Sequence, residues 1–276
     1  MNIVQMYRMG LGVPVPKKIS DRVDQVLEDM KIRKKDRESI KLFTVVGFDM
    51  FHAGSTWAKT GCIIGIPKNY GYDSCNDVEK SEIMVNQSLV PWNTPEGKAL
   101  EESIVLSPEA QKYAIACNVS LCQGPSMFLL SLYPLLATVF AYSISSTLNT
   151  KLQLHARKFY VRGVMYSIIG LFSFGLWAFA NDFTTSHCEK EADLAACALG
   201  AEYALGGVKF YNQVLARNMA LRKLMGANGE KVFTAYGNDQ ITFRQKHMPI
   251  TERKSLVEKR IKDIAVMEKE LLGATK

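Results

Sequence analysis

The sequence predicts an α+β membrane protein: a two-helix transmembrane hairpin joined to a small α+β soluble domain formed by the N- and C-terminal portions. Three observations predict it. Two stretches near the middle of the chain carry no charge, the connector between them carries only positive charge, and the flanking portions alternate β-branched runs with capped helical runs. The implied organisation is 1–125 for the N-terminal portion, 126–180 for the hairpin with its connector at 147–162, and 181–276 for the C-terminal portion. A hydrophobic content of 47% against 22% charged residues describes a chain that folds rather than one that stays disordered.

In chain order, Met1 to Leu11 is only mildly apolar and is interrupted by Arg8, which argues against a secretory signal. Arg8, Lys17 and Lys18, with no acid in the first twenty residues, are compatible with organelle targeting. Ile19, Val23, Val26, Leu27 and Met30 recur at helical spacing, and KIRKKDR (Lys31–Arg37) reads as a solvated charge run. KLFTVVGFDMF (Lys41–Phe51) and CIIGIP (Cys62–Pro67) are rich in β-branched and aromatic side chains and predict two strands of one sheet. EIMVNQSLV (Glu82–Val90) predicts a third. Thr94-Pro95 and Ser107-Pro108 each place a capping hydroxyl before a proline at the first helical position, so a helix is expected to start at both.

From Tyr113 to Thr150 there is no charged residue, and within that run Ser126–Ser145 is dense in large apolar groups. Gly163–Ala180 is likewise charge-free. As helices these segments reach about 27–30 Å, matching a hydrocarbon core of about 30 Å. A helix at the surface of a water-soluble core keeps a polar face, and neither segment has one. Tyr142, Tyr160 and Trp177 fall near the span ends, where amphipathic rings settle at a bilayer interface.

The connector holds Lys151, Arg157, Lys158 and Arg162 and no acid, whereas Ser107–Ser126 is neutral and Asn181–Gly200 has one Lys against four acids. Cations flanking spans are retained on the cytoplasm-like side during insertion, so these four residues set the topology: connector inside, both larger portions outside.

Beyond the second span, His187–Gly226 predicts one long helix ending at Gly226 with Arg222 and Lys223 in its last turn. Ala192, Ala196, Gly200 and Ala204 recur every four residues as a seam of small side chains, either an internal contact with the Ser107 helix or a docking face. Gly206 and Gly207, beside Lys209, Phe210 and Tyr211, are expected to loosen the helix and complete the candidate partner interface. Gly229–Phe243 predicts extended structure with a turn at Gly237-Asn238. Thr251–Gly273 closes the chain as an amphipathic helix with Val257, Ile261, Ile264 and Leu271 on one stripe.

The net charge of +7 invites a nucleic-acid reading, but residues 1–126 hold fifteen basic and fifteen acidic side chains, and the densest excess is the connector. A nucleic-acid binder would concentrate charge along a folded face, so none is expected. The cysteines Cys62, Cys75, Cys117, Cys122, Cys188 and Cys197 form no CxxC pair and read as small buried hydrophobes. No phosphate loop, nucleophile elbow or HExxH pair is present, and His187-Cys188 has no evident third ligand. The expectation is therefore no catalytic, cofactor or metal residues and no small-molecule substrate, the alternative being a membrane-anchored enzyme acting at the bilayer surface, on lipid.

GCIIGIP (Gly61–Pro67), LSPEAQKYAIA (Leu106–Ala116), the block Ala204–Asn238 and RQKHMP (Arg244–Pro249) together resemble the transmembrane protein 177 family, over a stretch from about Lys41 to Val257. The resemblance implies a multi-pass mitochondrial inner-membrane protein without known catalysis. It further implies a scaffold or assembly role in biogenesis of cytochrome c oxidase subunit 2, with that subunit, its assembly chaperone and membrane lipid as partners. On that reading the connector lies in the matrix and the terminal portions in the intermembrane space. Family members often begin with an additional apolar, basic-flanked segment; here MYRMGLGVPVP (Met6–Pro16) precedes the first helix.

Overall fold

A computed structural model describes residues 4–274 apart from Met9 and Thr242, with side chains of the last helix described as far as Val266. The expectation for Met1 to Leu11 therefore falls partly outside the described residues. The chain divides into two units. One gathers the described parts of Met1–Gly124, Glu189–Arg244 and Met248–Lys276, and the other is Pro125–Cys188 with Gln245–His247.

The first unit opens with β1 (Tyr7–Arg8) paired antiparallel to β2 (Leu11–Gly12). Helix α1 (Lys17–Asp29) buries Ile19, Val23, Val26 and Leu27, as their spacing requires. The charge run after it is not simply solvated: it contains α2 (Lys34–Glu38). Arg37 explains the difference, because its guanidinium donates back to the Ile32 and Leu27 carbonyls at 3.0 and 3.1 Å and closes the end of α1.

The expected first strand is two. β3 (Ile40–Val45) ends before Gly47, which turns the chain at φ 104°, and β4 (Phe51–Gly54) returns on the far side of β5 (Cys62–Pro67). The order is β3-β5-β4, with β3 parallel and β4 antiparallel to β5. Gly65 in the central strand sits between flanking rings, and a Cβ there would lie 2.8 Å from the Phe43 ring. Glu82–Val90 does not join this sheet. Asn86 and Gln87 both take left-handed backbone, at φ 52° and 63°, and fold the segment into its own hairpin, β6 (Met84–Val85) with β7 (Ser88–Leu89).

Helices α3 (Pro95–Ile104) and α4 (Pro108–Gln123) start at the expected caps: Thr94 Oγ1 accepts from the Gly97 N–H at 3.1 Å and Ser107 Oγ from the Ala110 N–H at 3.3 Å. Helix α4 is buried on several sides, with Tyr113, Ile115, Cys117, Val119 and Cys122 all inside. It is the central helix of this unit.

The second unit is the hairpin, α5 (Ser126–Lys151) and the start of α6 (Phe159–Cys197). The helical ends leave only Leu152–Lys158 between them, shorter than the connector read from charge alone. Tyr133 with Thr184 (2.7 Å), Phe140 with Phe172 (ring centroids 6.4 Å apart) and Asn149 with Tyr166 (2.5 Å) pair the two helices antiparallel. Ser131, Thr138, Thr147 and Ser167 spend their hydroxyl donors on carbonyls of their own helix. The most apolar stretch of α5 has no buried residue, so it is not the core helix of a globule. Both helices are long and apolar enough to cross a membrane.

The single long helix expected over His187–Gly226 is interrupted. Helix α6 runs on from the second span to Cys197, Gly200 takes φ 141°, and α7 (Ala201–Leu224) begins at the next residue. The stretch expected to be extended instead starts as α8 (Ala227–Val232); among the described residues Phe233 and Asp239 bridge, and the turn between them is at Ala235-Tyr236, ahead of the expected Gly237-Asn238, closed by the Gly237 N–H donating to the Thr234 carbonyl at 3.1 Å. A Cβ on Gly237 would lie 2.6 Å from the Leu215 carbonyl oxygen, and its φ of 82° suits glycine. Helix α9 (Ile250–Ala274) closes the chain, with Val257 fully buried and Ile261 and Ile264 packed on the core. The Leu271 side chain lies outside the described residues.

Candidate functional site

The most unusual chemistry in the described residues is a charge sealed inside the first unit. Asp193, on the last turns of α6, is 0% exposed. Its Oδ1 accepts from the Tyr113 hydroxyl of α4 at 2.9 Å, the Tyr211 hydroxyl of α7 at 2.6 Å and the Cys117 thiol at 3.4 Å. Arg253 of α9 completes the set with a two-pronged contact, Nε to Oδ2 at 2.7 Å and an Nη to Oδ1 at 2.8 Å. The guanidinium also lies 5.3 Å from the centre of the Tyr211 ring. One carboxylate thus ties α6 to α4, α7 and α9.

Each donor is tuned by this position. Burial pushes the Tyr113 and Tyr211 phenols well above their ordinary range, and the neighbouring Asp193 carboxylate adds to it. Burial and the same carboxylate raise the Cys117 thiol. Burial works against the charge on Arg253, but Tyr211 and Asp193 outweigh it and hold the guanidinium above its usual value. With every donor directed at Asp193, the cluster is a fastening: a neutral phenol pair, an unreactive thiol and a matched ion pair.

The small residues named from the sequence surround this centre. Ala192, Ala196 and Ala204 are 2%, 0% and 0% exposed and belong to the same core cluster as Tyr113 and Cys117. A Cβ on Gly206 would lie 2.4 Å from the Glu109 carbonyl oxygen, and one on Gly207 would lie 2.7 Å from the Tyr113 ring. These glycines therefore do not loosen α7; they let α4 press against it. Tyr211 is buried, Phe210 packs on the Tyr113 ring with centroids 6.2 Å apart, and exposed Lys209 pairs with Glu109 at 3.4 Å. Gly200 marks the break between α6 and α7. The seam is an internal contact within the chain.

The four connector cations cluster at the hairpin turn. Lys151 closes α5, Arg157 and Lys158 lie in the turn, and Arg162 approaches His155 Nδ1 at 3.2 Å and the Phe159 ring at 6.0 Å. Of the cysteines, Cys62, Cys117, Cys122 and Cys197 are buried, whereas Cys75 and Cys188 are only partly covered, so the reading of all six as buried holds for four. Burial together with the Asp193 charge pushes the Cys197 thiol up to about 12.

Residues 8–274 match the family model described as Transmembrane protein 177. The chain belongs to the transmembrane protein 177 family. It is 30% identical over 257 residues to the Homo sapiens Transmembrane protein 177, covering 92% of this chain and 82% of that one. The Danio rerio relative is 31% identical over 244 residues, covering 86% and 76%, and the Xenopus laevis relative is 29% identical over 265 residues, covering 92% and 83%. No solved structure matches.

Within this member of the transmembrane protein 177 family, the sequence reading named Tyr211 but missed Asp193, Arg253 and Tyr113. A signal for Asp193 was present. It sits among Ala192, Ala196 and Cys197, on the stripe that the small residues mark as interior, where an unpaired carboxylate would be untenable. Its partner Arg253 lies sixty residues on in a charge-rich tail, and nothing local distinguishes it from its neighbours.

Proposed function

We propose that this protein is a non-catalytic scaffold of the mitochondrial inner membrane that supports biogenesis of cytochrome c oxidase subunit 2 together with that subunit's assembly chaperone. Family membership supports the placement. The observation that carries the mode of action is the uncovered apolar surface of the hairpin, where Ile168, Leu171 and Phe179 are 62%, 73% and 71% exposed. Such a surface meets lipid, and it also offers a newly inserted apolar helix something to pack on. The polar groups gathered around Asp193 in the other unit are matched to one another, which suits a body that holds a shape rather than one that turns over a substrate.

Orientation follows from charge. The basic turn faces the matrix, and the terminal portions, forming an α+β domain outside the bilayer, face the intermembrane space. Protease treatment of mitoplasts tests this; survival of both terminal portions would reverse it.

Affinity capture of the full-length chain from mitochondria tests the role. Wild type is expected to recover the oxidase subunit and its chaperone, and a Leu171→Ala/Phe179→Ala chain, still membrane-embedded, to recover less of the subunit. Capture of neither partner by wild type would end this reading.

A further inference from the structure

Of the three tryptophans, Trp57 alone is exposed, at 80%, although this side chain is highly buried on average. It lies on the loop that joins β4 to β5, residues 55–61, with Ala58, Lys59 and Thr60 exposed beside it. The loop is nonetheless held in one shape. The Trp57 N–H donates to Ser55 Oγ at 3.3 Å, the Ala58 N–H to the Ser55 carbonyl at 3.0 Å, and the Gly61 N–H to the Ala58 carbonyl at 2.9 Å. Its ends close on each other: a Cβ on Gly54 would lie 2.4 Å from the Gly61 carbonyl oxygen. One bond fixes where it sits. The Thr56 N–H donates to the Cys122 carbonyl at 3.1 Å, in the last turn of α4. Cys122 is four positions before Ser126, where α5 begins, so the chain between them covers about 14 Å at most, whatever direction α5 takes.

We propose that this loop is a membrane-surface contact. Trp57 seats its ring in the lipid headgroup layer beside the start of the first span, and Lys59 places its ammonium among the lipid phosphates. The proposal rests on the reading that α5 and α6 cross a bilayer. An indole combines an apolar body with one N–H donor, and such rings settle where hydrocarbon meets water. Lys59 makes no ion pair among the described residues, so its charge is available to an anionic surface. The tether to Cys122 gives the contact its use: a ring held at the headgroups and bonded to the last turn of α4 limits how the sheet tilts about the chain entering the membrane.

The test uses full-length protein reconstituted into phosphatidylcholine vesicles containing a minority of phosphatidylglycerol, with or without acyl chains brominated near the headgroup. A Trp92→Phe/Trp177→Phe chain keeps Trp57 as its sole tryptophan, and its emission should fall about twofold in the brominated vesicles. Lys59→Glu in that background should weaken the quenching; unchanged quenching would strike Lys59 from the contact. A Trp57→Phe/Trp92→Phe chain reports Trp177 and hence the span itself. Quenching of Trp177 without quenching of Trp57 would overturn the loop contact and leave the membrane hairpin standing. Quenching of neither would take the hairpin out of the bilayer, and the loop contact with it. Should the loss of Trp92 unfold the chain, wild type minus Trp57→Phe isolates the same signal, and a difference that bromine leaves unquenched would overturn the proposal.

Discussion

Helix α6 is one continuous helix with two opposite surfaces. Along Phe159–Ala180 most of the large apolar groups point outward, with Leu171 73% and Phe179 71% exposed, although Ile169 is buried. Along Glu189–Cys197 the groups hidden are small or charged, with Ala192, Asp193 and Ala196 at 2%, 0% and 0%. The backbone bonding is the same in both, so the difference lies in the surroundings each half requires. Water penalises an uncovered Leu171, and a protein interior penalises an unpaired Asp193. The first half is stable against an apolar solvent; the second is stable because Arg253 and two phenols are brought to it. Hydrophobicity alone does not say which residues of this chain are inside.

The sharpest way to break that comparison is to remove the imported charge. Arg253→Ala leaves the Asp193 carboxylate buried without its counterion, and we expect a loss of about 3–5 kcal/mol in denaturant unfolding of the full-length protein in micelles. Asp193→Leu combined with Arg253→Met should restore much of it, since a packed apolar pair needs no compensation. A cost below about 1 kcal/mol for Arg253→Ala would show that water reaches the site.

The converse experiment places a charge on the other half. Leu171→Arg should oppose insertion by about 2.5–3.5 kcal/mol, read as a smaller fraction of chain resisting alkaline carbonate extraction. Unfolding of the Asp193 unit should not change. Equal extraction resistance of wild type and variant would mean that this face does not meet lipid.

Smaller still is the effect of crowding the seam that positions the charge. Gly206→Ala drives a methyl toward the Glu109 carbonyl oxygen, 2.4 Å from where its carbon would sit. Forced separation of α4 and α7 should cost about 1–3 kcal/mol in the same unfolding assay. Wild-type stability in this variant would mean that the two helices separate freely.

Alkaline pH probes the phenols. Burial raises Tyr113 and Tyr211 in the folded state, so the native protein keeps their protons where the unfolded chain, near pH 10, loses them. Stability is complete below about pH 10 and falls as pH rises beyond it, toward about 1.4 kcal/mol per pH unit for each phenol. Tyr211→Phe should flatten that fall, and an unchanged slope would show that Tyr211 ionises equally in both states.

What could be read from the sequence follows the range of each interaction. Caps at Thr94 and Ser107 and the two apolar spans are local patterns, and each appears where its residues place it. The helix break at Gly200 was obscured because Ala192, Ala196 and Ala204 continue the four-residue rhythm across it, and one left-handed glycine outweighs that rhythm. β4 was lost inside a single apolar run because Gly47, not a composition change, turns the chain. The Asp193–Arg253 pair joins residues sixty positions apart, and no periodicity carries information over that distance.

The smallest prediction compares polar contacts in the two settings. Tyr133 and Thr184 meet across the hairpin at 2.7 Å, shorter than the 2.9 Å between Tyr113 and Asp193. Distance alone would rank the hairpin contact as the stronger one. The alternatives open to each group reverse that order. When α5 and α6 separate in a bilayer, the Thr184 hydroxyl can turn to a carbonyl of its own helix, as Thr185 does with Asn181 at 2.9 Å. The Asp193 carboxylate has no such fallback, since each of its donors comes from another part of the chain. Tyr133→Phe should therefore cost only about 0.6 kcal/mol in hairpin association measured in lipid. Tyr113→Phe, which withdraws a donor from a buried carboxylate, should cost about 1.5–3 kcal/mol in unfolding. Equal costs would mean that the two halves of α6 share one solvent, and the distinction drawn along the helix would collapse.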